Sequence, residues 1–424
     1  MLTMGAVMVV HTRLSLLLAS ARSFVLLLAC TAFAVHADNQ GPWQRHTIDN
    51  SSKGADGVRL ADANGDGLMD IVTGWEEGGI VRLYLNPGLV KSKEKWPDVT
   101  VGPAKNVEDA VMVDLDNDGA MDIVSSCEGK TKTMFVHWGP KDKSRLLDED
   151  AWATEPIPAT MGKQQWMYCL PVPNDDRSIT HLLVGSKGEN AELGHFFLPR
   201  ENRRDFSKWV YYRYCDVGWI MSLEMAGGTN SNLLLVTDRK GKQRGVMSMC
   251  FQGGWDMKYF EHDQAEYMFG AMLPDAFSEG EFVVAVATRN GVVRLFKTDE
   301  VPSISTIPKP KVIDIPNPFG IKNGKAVAIG KIDNDGNADL VVSFNTQGQK
   351  DKPGVAWIKV IPDQDPKDWP AYDISGLEGK KFDRIELIDL DGDGDLDVLT
   401  CEEVDNLGVI WYENPYGKPE LIKP

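Results

Sequence analysis

Four nonapeptides constrain this chain more than anything else in it. They are DANGDGLMD (Asp62 to Asp70), DLDNDGAMD (Asp114 to Asp122), KIDNDGNAD (Lys331 to Asp339) and DLDGDGDLD (Asp389 to Asp397). Each presents oxygen-bearing side chains at positions 1, 3, 5 and 9 and Gly at position 6, except that Lys331 takes the first place of the third copy. Carboxylates this dense repel one another unless a cation sits among them. An all-oxygen shell suits a hard divalent ion, Ca²⁺ ahead of Mg²⁺. The glycine lets the loop turn back on the ion. Asp-Gly clusters are also ordinary turn formers, but four copies at one spacing favour metal ligation.

An EF-hand loop begins in the same way but is excluded by position 12 and by the flanks. That loop needs a bidentate Glu at position 12 and a helix on either side. Position 12 here is Thr73, Ser125, Val342 or Thr400, and the flanks (VRLAD/DIVTGW, AVMVD/DIVSSC, AVAIG/DLVVSF, RIELID/DVLTCE) are β-rich runs of strand length. Each acidic loop therefore joins two strands, with the position-9 carboxylate closing it from the start of the second. All ligand places are filled by protein, which suits a structural ion.

The N-terminus reads differently from the rest. Arg13 and Arg22 precede an apolar run from Phe24 to Val35, and Val35-His36-Ala37 leads into a polar start at Asp38. This predicts a secretory signal peptide over residues 1–37, cleaved after Ala37, and a secreted or periplasmic mature chain of residues 38–424. The run is too short to span a bilayer, and no later segment approaches the ~18 apolar residues that a transmembrane helix requires. Leu27-Leu28-Ala29-Cys30 resembles a lipoprotein cleavage box, but apolar residues follow Cys30 where a polar tether is the rule. Losing two arginines and no acid moves the formal charge from −17 to −19. With no basic stripe, that balance disfavours nucleic acid as a partner. Five cysteines remain (Cys127, Cys169, Cys215, Cys250, Cys401), without zinc-site spacing and odd in number.

A second repeat runs beside the acidic one. An apolar strand ends at Pro or Gly, and a Trp opens the next strand: YLNPG then Trp96, HWGP then Trp152, FFLP then Trp209, CFQGG then Trp255, WIKVIP then Trp369. Trp43 begins the series, WYENP (411 to 415) ends it without a Trp, and one opener is missing near Ile304. Seven units of about 55 residues result, three of which (165 to 185, 219 to 238, 267 to 288) keep strand, loop and strand without the Asp ladder. No metal is expected in those three. Units of this length with about four short strands predict an all-β, seven-bladed β-propeller forming a single domain. A sandwich would not repeat seven times at one period, and a β-helix repeats on a shorter one. The spare strand WQRHTID (43 to 49) is expected to complete the last blade and close the ring.

On these residues (DANGDGLMDIV, DLDNDGAMDIV, IDNDGNADLVV, DLDGDGDLDVL) the chain resembles the FG-GAP or VCBS repeat propellers, of which the integrin α head is an example. The resemblance covers four blades by motif and three by spacing alone. It implies Ca²⁺ loops in blades 1, 2, 6 and 7. The ligands it implies are Asp62, Asn64, Asp66 and Asp70, then Asp114, Asp116, Asp118 and Asp122. Asp333, Asp335 and Asp339 belong to the loop that carries Lys331, and Asp389, Asp391, Asp393 and Asp397 complete the set.

A ligand site belongs at the opposite face, where the innermost strands enter around the central channel. Reading each blade five to seven places before its loop gives Asp56, Asp109, Trp166, Trp219, Tyr267, Lys325 and Arg384 as candidates for holding a sugar or small polar ligand. The competing reading has charged mouths merely solvated and the aromatics filling the channel. EEGG after Trp75 and DRKGKQR (238 to 244) read as exposed hairpin turns. The mature histidines (His46, His137, His181, His195, His262) are scattered without metal spacing, and no GxSxG, Walker or dinucleotide motif occurs. The expected function is a calcium-binding interaction module with a protein or carbohydrate ligand. The alternatives are a carbohydrate lyase or dehydratase acting at the channel mouth, and an integrin-like adhesive role.

Overall fold

The computed structural model describes residues 41–416 apart from 174–178, 226–232, 243, 252–254, 262–264, 275, 277–279, 300–308 and 318. Among the described residues the strands assort into seven antiparallel sheets of four, each one a propeller blade. Blade 1 runs Ala55–Ala61, Asp70–Trp75, Ile80–Tyr84 and Asp98–Pro103, from the inner strand outward. Blade 2 comes next with Val107–Val113, Asp122–Cys127, Met134–Trp138 and Ala153–Pro156, then blade 3 with Gln165–Pro173, Ile179–Lys187, Glu192–Phe197 and Val210–Asp216. Blade 4 comprises Ile220–Met225, Leu233–Asp238, Gly245–Phe251 and Trp255–Glu261; blade 5, Tyr267–Pro274, Phe282–Thr288, Val293–Thr298 and Lys311–Ile315. Blade 6 is Gly324–Gly330, Asp339–Phe344, Val355–Ile358 and Ala371–Asp373.

Blade 7 takes only three strands from its own stretch of chain: Phe382–Ile388, Asp397–Glu402 and Gly408–Glu413. Its outer strand is Gln44–Asp49, paired so that His46 lies opposite Trp411. The ring closes as the spare strand implies, and the His46 ring stacks on Trp411 at 4.4 Å. Closure of this kind removes the open sheet edge that each end of the chain would otherwise present.

The core lies between neighbouring sheets. Val72, Val81 and Leu83 of blade 1 pack on Val107, Ala110 and Ile123 of blade 2. Leu399, Val409 and Trp411 of blade 7 pack with Ile48 on Ile71, Trp75 and Tyr84 of blade 1. Second strands have neighbours on both faces and are buried at every position in blades 1, 2, 4, 5, 6 and 7. This is why they read as continuous apolar runs rather than alternating ones. The strand-opening tryptophans are pegs: the indole N–H of Trp96, Trp152, Trp209 and Trp369 donates to a backbone carbonyl at 2.8–3.0 Å in the turn that leads into the strand. Burying the ring while satisfying its single donor makes the residue hard to replace. Among the described residues Cys127, Cys169, Cys215 and Cys401 are free thiols, and no helix is long and apolar enough to cross a membrane.

Candidate functional site

Two places concentrate polar groups: the acidic loops on one face and the channel mouth on the other. In the acidic loops of blades 1, 2 and 7 the position-9 carboxylate is anchored by backbone N–H groups from two elements. Asp122 accepts from Leu115 and Gly139 at 3.1 and 2.9 Å, Asp397 from Leu390 and Asn414 at 2.8 and 2.9 Å, and Asp70 from Ala63 and Asn86 at 2.8 Å each. The position-1 carboxylates of Asp62 and Asp389 are wrapped by loop N–H groups in the same manner, such as that of Gly65 at 2.7 Å and that of Gly392 at 2.7 Å. In blade 2 an oxygen from each of Asp114, Asp116 and Asp122 lies within 4.8 Å of the others, and in blade 7 the same holds for Asp389, Asp391 and Asp397. Burial pushes Asp122 and Asp397 up to about 7 and Asp70 to about 6, with neighbouring carboxylates adding to the rise. In blade 7 burial and Asp393 push the Asp395 carboxyl up to about 8.

Blade 6 departs from this pattern, and not through Lys331, which is exposed. The Lys359 ammonium enters the loop and pairs with Asp333, and lies 3.0 Å from Asp335. Neighbouring segments also reach the other loops, with Arg204 2.5 Å from Asp116 and Lys93 3.0 Å from Asp391.

The mouth is built in two registers. In six blades the residue after the second strand donates its N–H to the carbonyl of the residue preceding the inner strand or close to it: Glu76 to Gly54, Glu128 to Asn106, Arg239 to Trp219, Arg289 to Glu266, Asn345 to Asn323 and Glu403 to Lys381. Lys187 holds the corresponding place in blade 3. One step in, the inner strands contribute Asp56, Glu108, Met167, Met221, Met268, Lys325 and Asp383, all lining a cavity of about 280 Å³. Burial, and then the charges of Asp383 and Glu108, push the Asp56 carboxyl well above the usual carboxylate range. Glu76 is raised by burial and by Glu108 and Glu403. Lys325 pairs with Asp383, Lys381 with Glu403, and Lys187 with Glu128, with Glu108 at 3.4 Å.

Every inner strand carries a register shift at this second ring. Such a bulge re-aims the side chains beyond it. Beneath the mouth, five charges of alternating sign run across the channel: Glu386 and Arg384 of blade 7, Glu224 of blade 4, Arg59 of blade 1 and Asp109 of blade 2. Arg384 donates to Glu386 at 2.6 Å and to Glu224 at 2.7 Å, and Arg59 grips Asp109 with two bonds of 2.9 and 3.1 Å and lies 3.5 Å from Glu224. Burial raises the pKa of Glu224, but Arg384 and Arg59 outweigh it and hold the carboxyl below its ordinary range.

Of the seven mouth residues expected from the sequence, Asp56, Trp219 and Lys325 line the cavity. Asp109 and Arg384 lie past the bulge in the charge chain. Trp166 and Tyr267 turn into blade interfaces, where Trp166 donates to the Thr160 carbonyl at 3.1 Å and the Tyr267 hydroxyl meets Arg294 at 2.8 Å. Glu76 and Arg239, read as exposed turn residues, belong to the mouth instead. Arg239 is 6% exposed and sits 4.3 Å over the Trp219 ring, with Lys187 and Lys240 at 4.5 and 4.6 Å. Asp238 holds this segment by accepting the backbone N–H of Trp219 at 2.8 Å. The available signal was positional: Glu76, Glu128, Arg239 and Arg289 each stand directly after an apolar second strand.

Comparison with known proteins bears on the fold. Residues 62–125, from the first acidic loop through the second strand of blade 2, match the FG-GAP-like repeat family. Comparison with curated proteins returns no match. Among solved structures, the Cps50 (Swd1) β-propeller domain of Myceliophteria thermophila is 10% identical over 88% of this chain and 100% of its own, with a TM-score of 0.51. BBS1N, crystallised in complex with ARL6DN, is 10% identical over 89% of this chain and 98% of its own (TM-score 0.48). A Xanthomonas campestris gluconolactonase is 12% identical over 73% and 89% (TM-score 0.40). The chain is a seven-bladed β-propeller that carries an FG-GAP-like repeat across its first two blades.

Proposed function

We propose that this chain is a secreted or periplasmic binding module whose acidic loops hold structural Ca²⁺ and whose channel mouth takes the ligand. The observation that carries the reading is the mouth, a polar cavity with an aromatic wall and an ionisable side chain from each of the seven blades. Concave sites with convergent polar groups are where small ligands bind. For the loops, the donor chemistry fits the ion. Three carboxylate oxygens converge in blade 2 and three in blade 7, in buried surroundings that keep position-9 acids near neutrality unless a cation offsets their repulsion. Asp62, Asn64, Asp66 and Asp70 would serve blade 1 likewise. In blade 6 Lys359 already neutralises Asp333 and Asp335, so that loop is the weakest candidate.

A second reading, catalysis at the mouth, is favoured by the Asp56 carboxyl, whose raised pKa is that of a group poised as a general acid. One experiment separates the two. The calcium-replete protein is incubated with a panel of uronates, ketosugars and small charged metabolites, and both retention and product formation are measured. Retention without turnover supports the module; turnover abolished by Asp56→Asn supports the enzyme. Elemental analysis showing no calcium in the purified protein would remove the metal part of the reading.

A further inference from the structure

We propose that the channel mouth binds a small zwitterion, with the ligand's ammonium against Asp56, Glu76 and Glu108 and its carboxylate against Arg239 and Arg289. The proposal rests on the mouth being the ligand site and adds the ligand's chemical class. In a seven-membered ring, blade 1 faces the boundary between blades 4 and 5. The mouth is therefore predominantly acidic on one wall, with Glu76 and Glu128 from blades 1 and 2 beside Asp383 of blade 7, whose Lys381 is held by Glu403. It is basic on the other, with Arg239 and Arg289 from blades 4 and 5.

Neither wall balances its own charge. Asp56 is 6% exposed; burial and the charges of Asp383 and Glu108 act against its carboxylate, and the Lys381 ammonium offsets them only in part. Glu108 reaches one ammonium, that of Lys187, which Glu128 also holds. Opposite, Arg239 and Arg289 share a single acid, Glu266, at 2.8 and 3.7 Å. Arg289 is exposed, but Asp56 and Arg239 are buried, and burying an under-compensated charge costs stability. Two surpluses of opposite sign facing each other across one cavity are both relieved by a ligand carrying the complementary pair. The cavity, about 280 Å³, falls just under the ~300–1,000 Å³ of drug-sized sites, which suits a metabolite. Met167, Met221 and Met268 offer an adaptable apolar wall for a methylene spacer. Sugar stacking on Trp219 is pre-empted by the cations already over that ring.

The test is calorimetry on the full, calcium-replete chain with ω-amino acids of increasing length, each beside the diamine and the dicarboxylate of matching length. The amino acids should bind best, with an optimum length and at least about a tenfold advantage, the scale of one charge-assisted contact. Asp56→Asn should weaken the amino acids and diamines about tenfold and spare the dicarboxylates; Arg289→Gln should weaken the amino acids and dicarboxylates and spare the diamines. Asp56→Asn replaces a buried carboxyl whose charged form is disfavoured by burial and by Asp383 and Glu108, so it should fold with an undiminished melting temperature. Diamines or dicarboxylates binding as tightly as amino acids would overturn the proposal, as would Mn²⁺ bound at Glu76, Glu108 and Glu128 in their place. If no member of the series binds but a neutral sugar does, with loss in Asp56→Asn, the zwitterion is wrong and the binding module stands. Turnover of a panel compound would instead overturn the module.

Discussion

The ring divides into two unlike arcs. Blades 6, 7, 1 and 2 are consecutive around the closure and carry the acidic loops; blades 3, 4 and 5 are consecutive and lack them. In the first arc the loops join blade to blade. Arg203 of blade 3 donates to the Leu115 carbonyl in the loop of blade 2, and Asn414 of blade 7 to the Ile332 carbonyl in the loop of blade 6. The same division appears at the opposite face. Among the described residues the loop-bearing arc supplies all the acids that line the mouth, Asp56, Glu76, Glu108, Glu128 and Asp383, together with the cations Lys325 and Lys381, whereas the other supplies Lys187, Arg239, Arg289 and the three methionines. Repeats that share a period have thus diverged together at both ends of their inner strands. One arc is specialised for acidic loops and an acidic wall, the other for a cationic and apolar wall.

The charge chain links the arcs across the channel, in addition to the apolar packing where blade 2 meets blade 3 and blade 5 meets blade 6, and breaking it should have the largest effect. Glu224 belongs to blade 4, and its partners Arg384 and Arg59 belong to blades 7 and 1. Glu224→Leu would leave two buried guanidinium groups facing each other. Removing one partner of a buried pair costs on the order of 3–5 kcal/mol. Urea denaturation should show a loss of that size, and a loss below about 1 kcal/mol, the range of exposed pairs, would mean that the two arcs are held together by apolar packing alone. The double replacement Glu224→Leu with Arg384→Met should recover part of it.

Calcium removal should then discriminate between the arcs. An ion bound only by the folded state at a hundred times its Kd stabilises by about 2.7 kcal/mol per site. Chelation should lower the melting temperature and raise hydrogen exchange in the second strands of blades 1, 2 and 7, while Leu233–Asp238 and Phe282–Thr288 keep their protection. Uniform loosening would show that the metal acts on the ring as a whole.

A smaller effect concerns His137 of blade 2, which is buried between Ser125 Oγ at 3.0 Å and Thr154 Oγ1 at 2.8 Å. Burial lowers its pKa to about 3 from 6.5. Above pH 6.5 the imidazole is neutral in both states and folding carries no proton penalty. As pH falls below 6.5 the unfolded chain gains a proton that the folded one refuses until about pH 3, so stability is lost by up to about 1.4 kcal/mol per pH unit. His137→Gln should flatten the acid limb relative to the parent, and parallel limbs would assign acid sensitivity to other groups.

How much of this was legible in the sequence differs by register. The sevenfold period, the closing strand and the Trp pegs could be read because each is a repeated choice between apolar burial and turn chemistry. Identities at the mouth could not, except where a charge stood at the right place by itself, as with Asp56 and Lys325. A strand presents alternate residues to opposite faces, so an error of one residue exchanges channel for core. That is the difference between Met167 and Trp166, or Met268 and Tyr267. The bulge just inside the mouth adds the further shift that sends Asp109 and Arg384 into the charge chain. Arg239 was obscured for another reason: its hairpin is rich in Lys, Arg and Gly, which looks like solvated turn, while its burial depends on Trp219 and Glu266 from outside that hairpin.

The smallest expected effect on stability tests the one irregular member of the loop-bearing arc. Lys359 occupies in blade 6 the place among the carboxylates that an ion would take, and Asp333 and Asp335 hold its ammonium above the usual lysine range against the opposing effect of burial. A partly exposed pair of this kind is worth little, of order 0–1 kcal/mol, so Lys359→Met should barely move the melting temperature in chelator. It should, however, free Asp333 and Asp335 in the same loop as Asp339, whose carboxyl burial pushes up to about 7. Calcium titration of the variant should therefore gain one equivalent over the parent, with the added ion stabilising blade 6. If the stoichiometry does not change, Lys331 at the first position is enough to exclude the ion, and blade 6 belongs with the arc that does without metal.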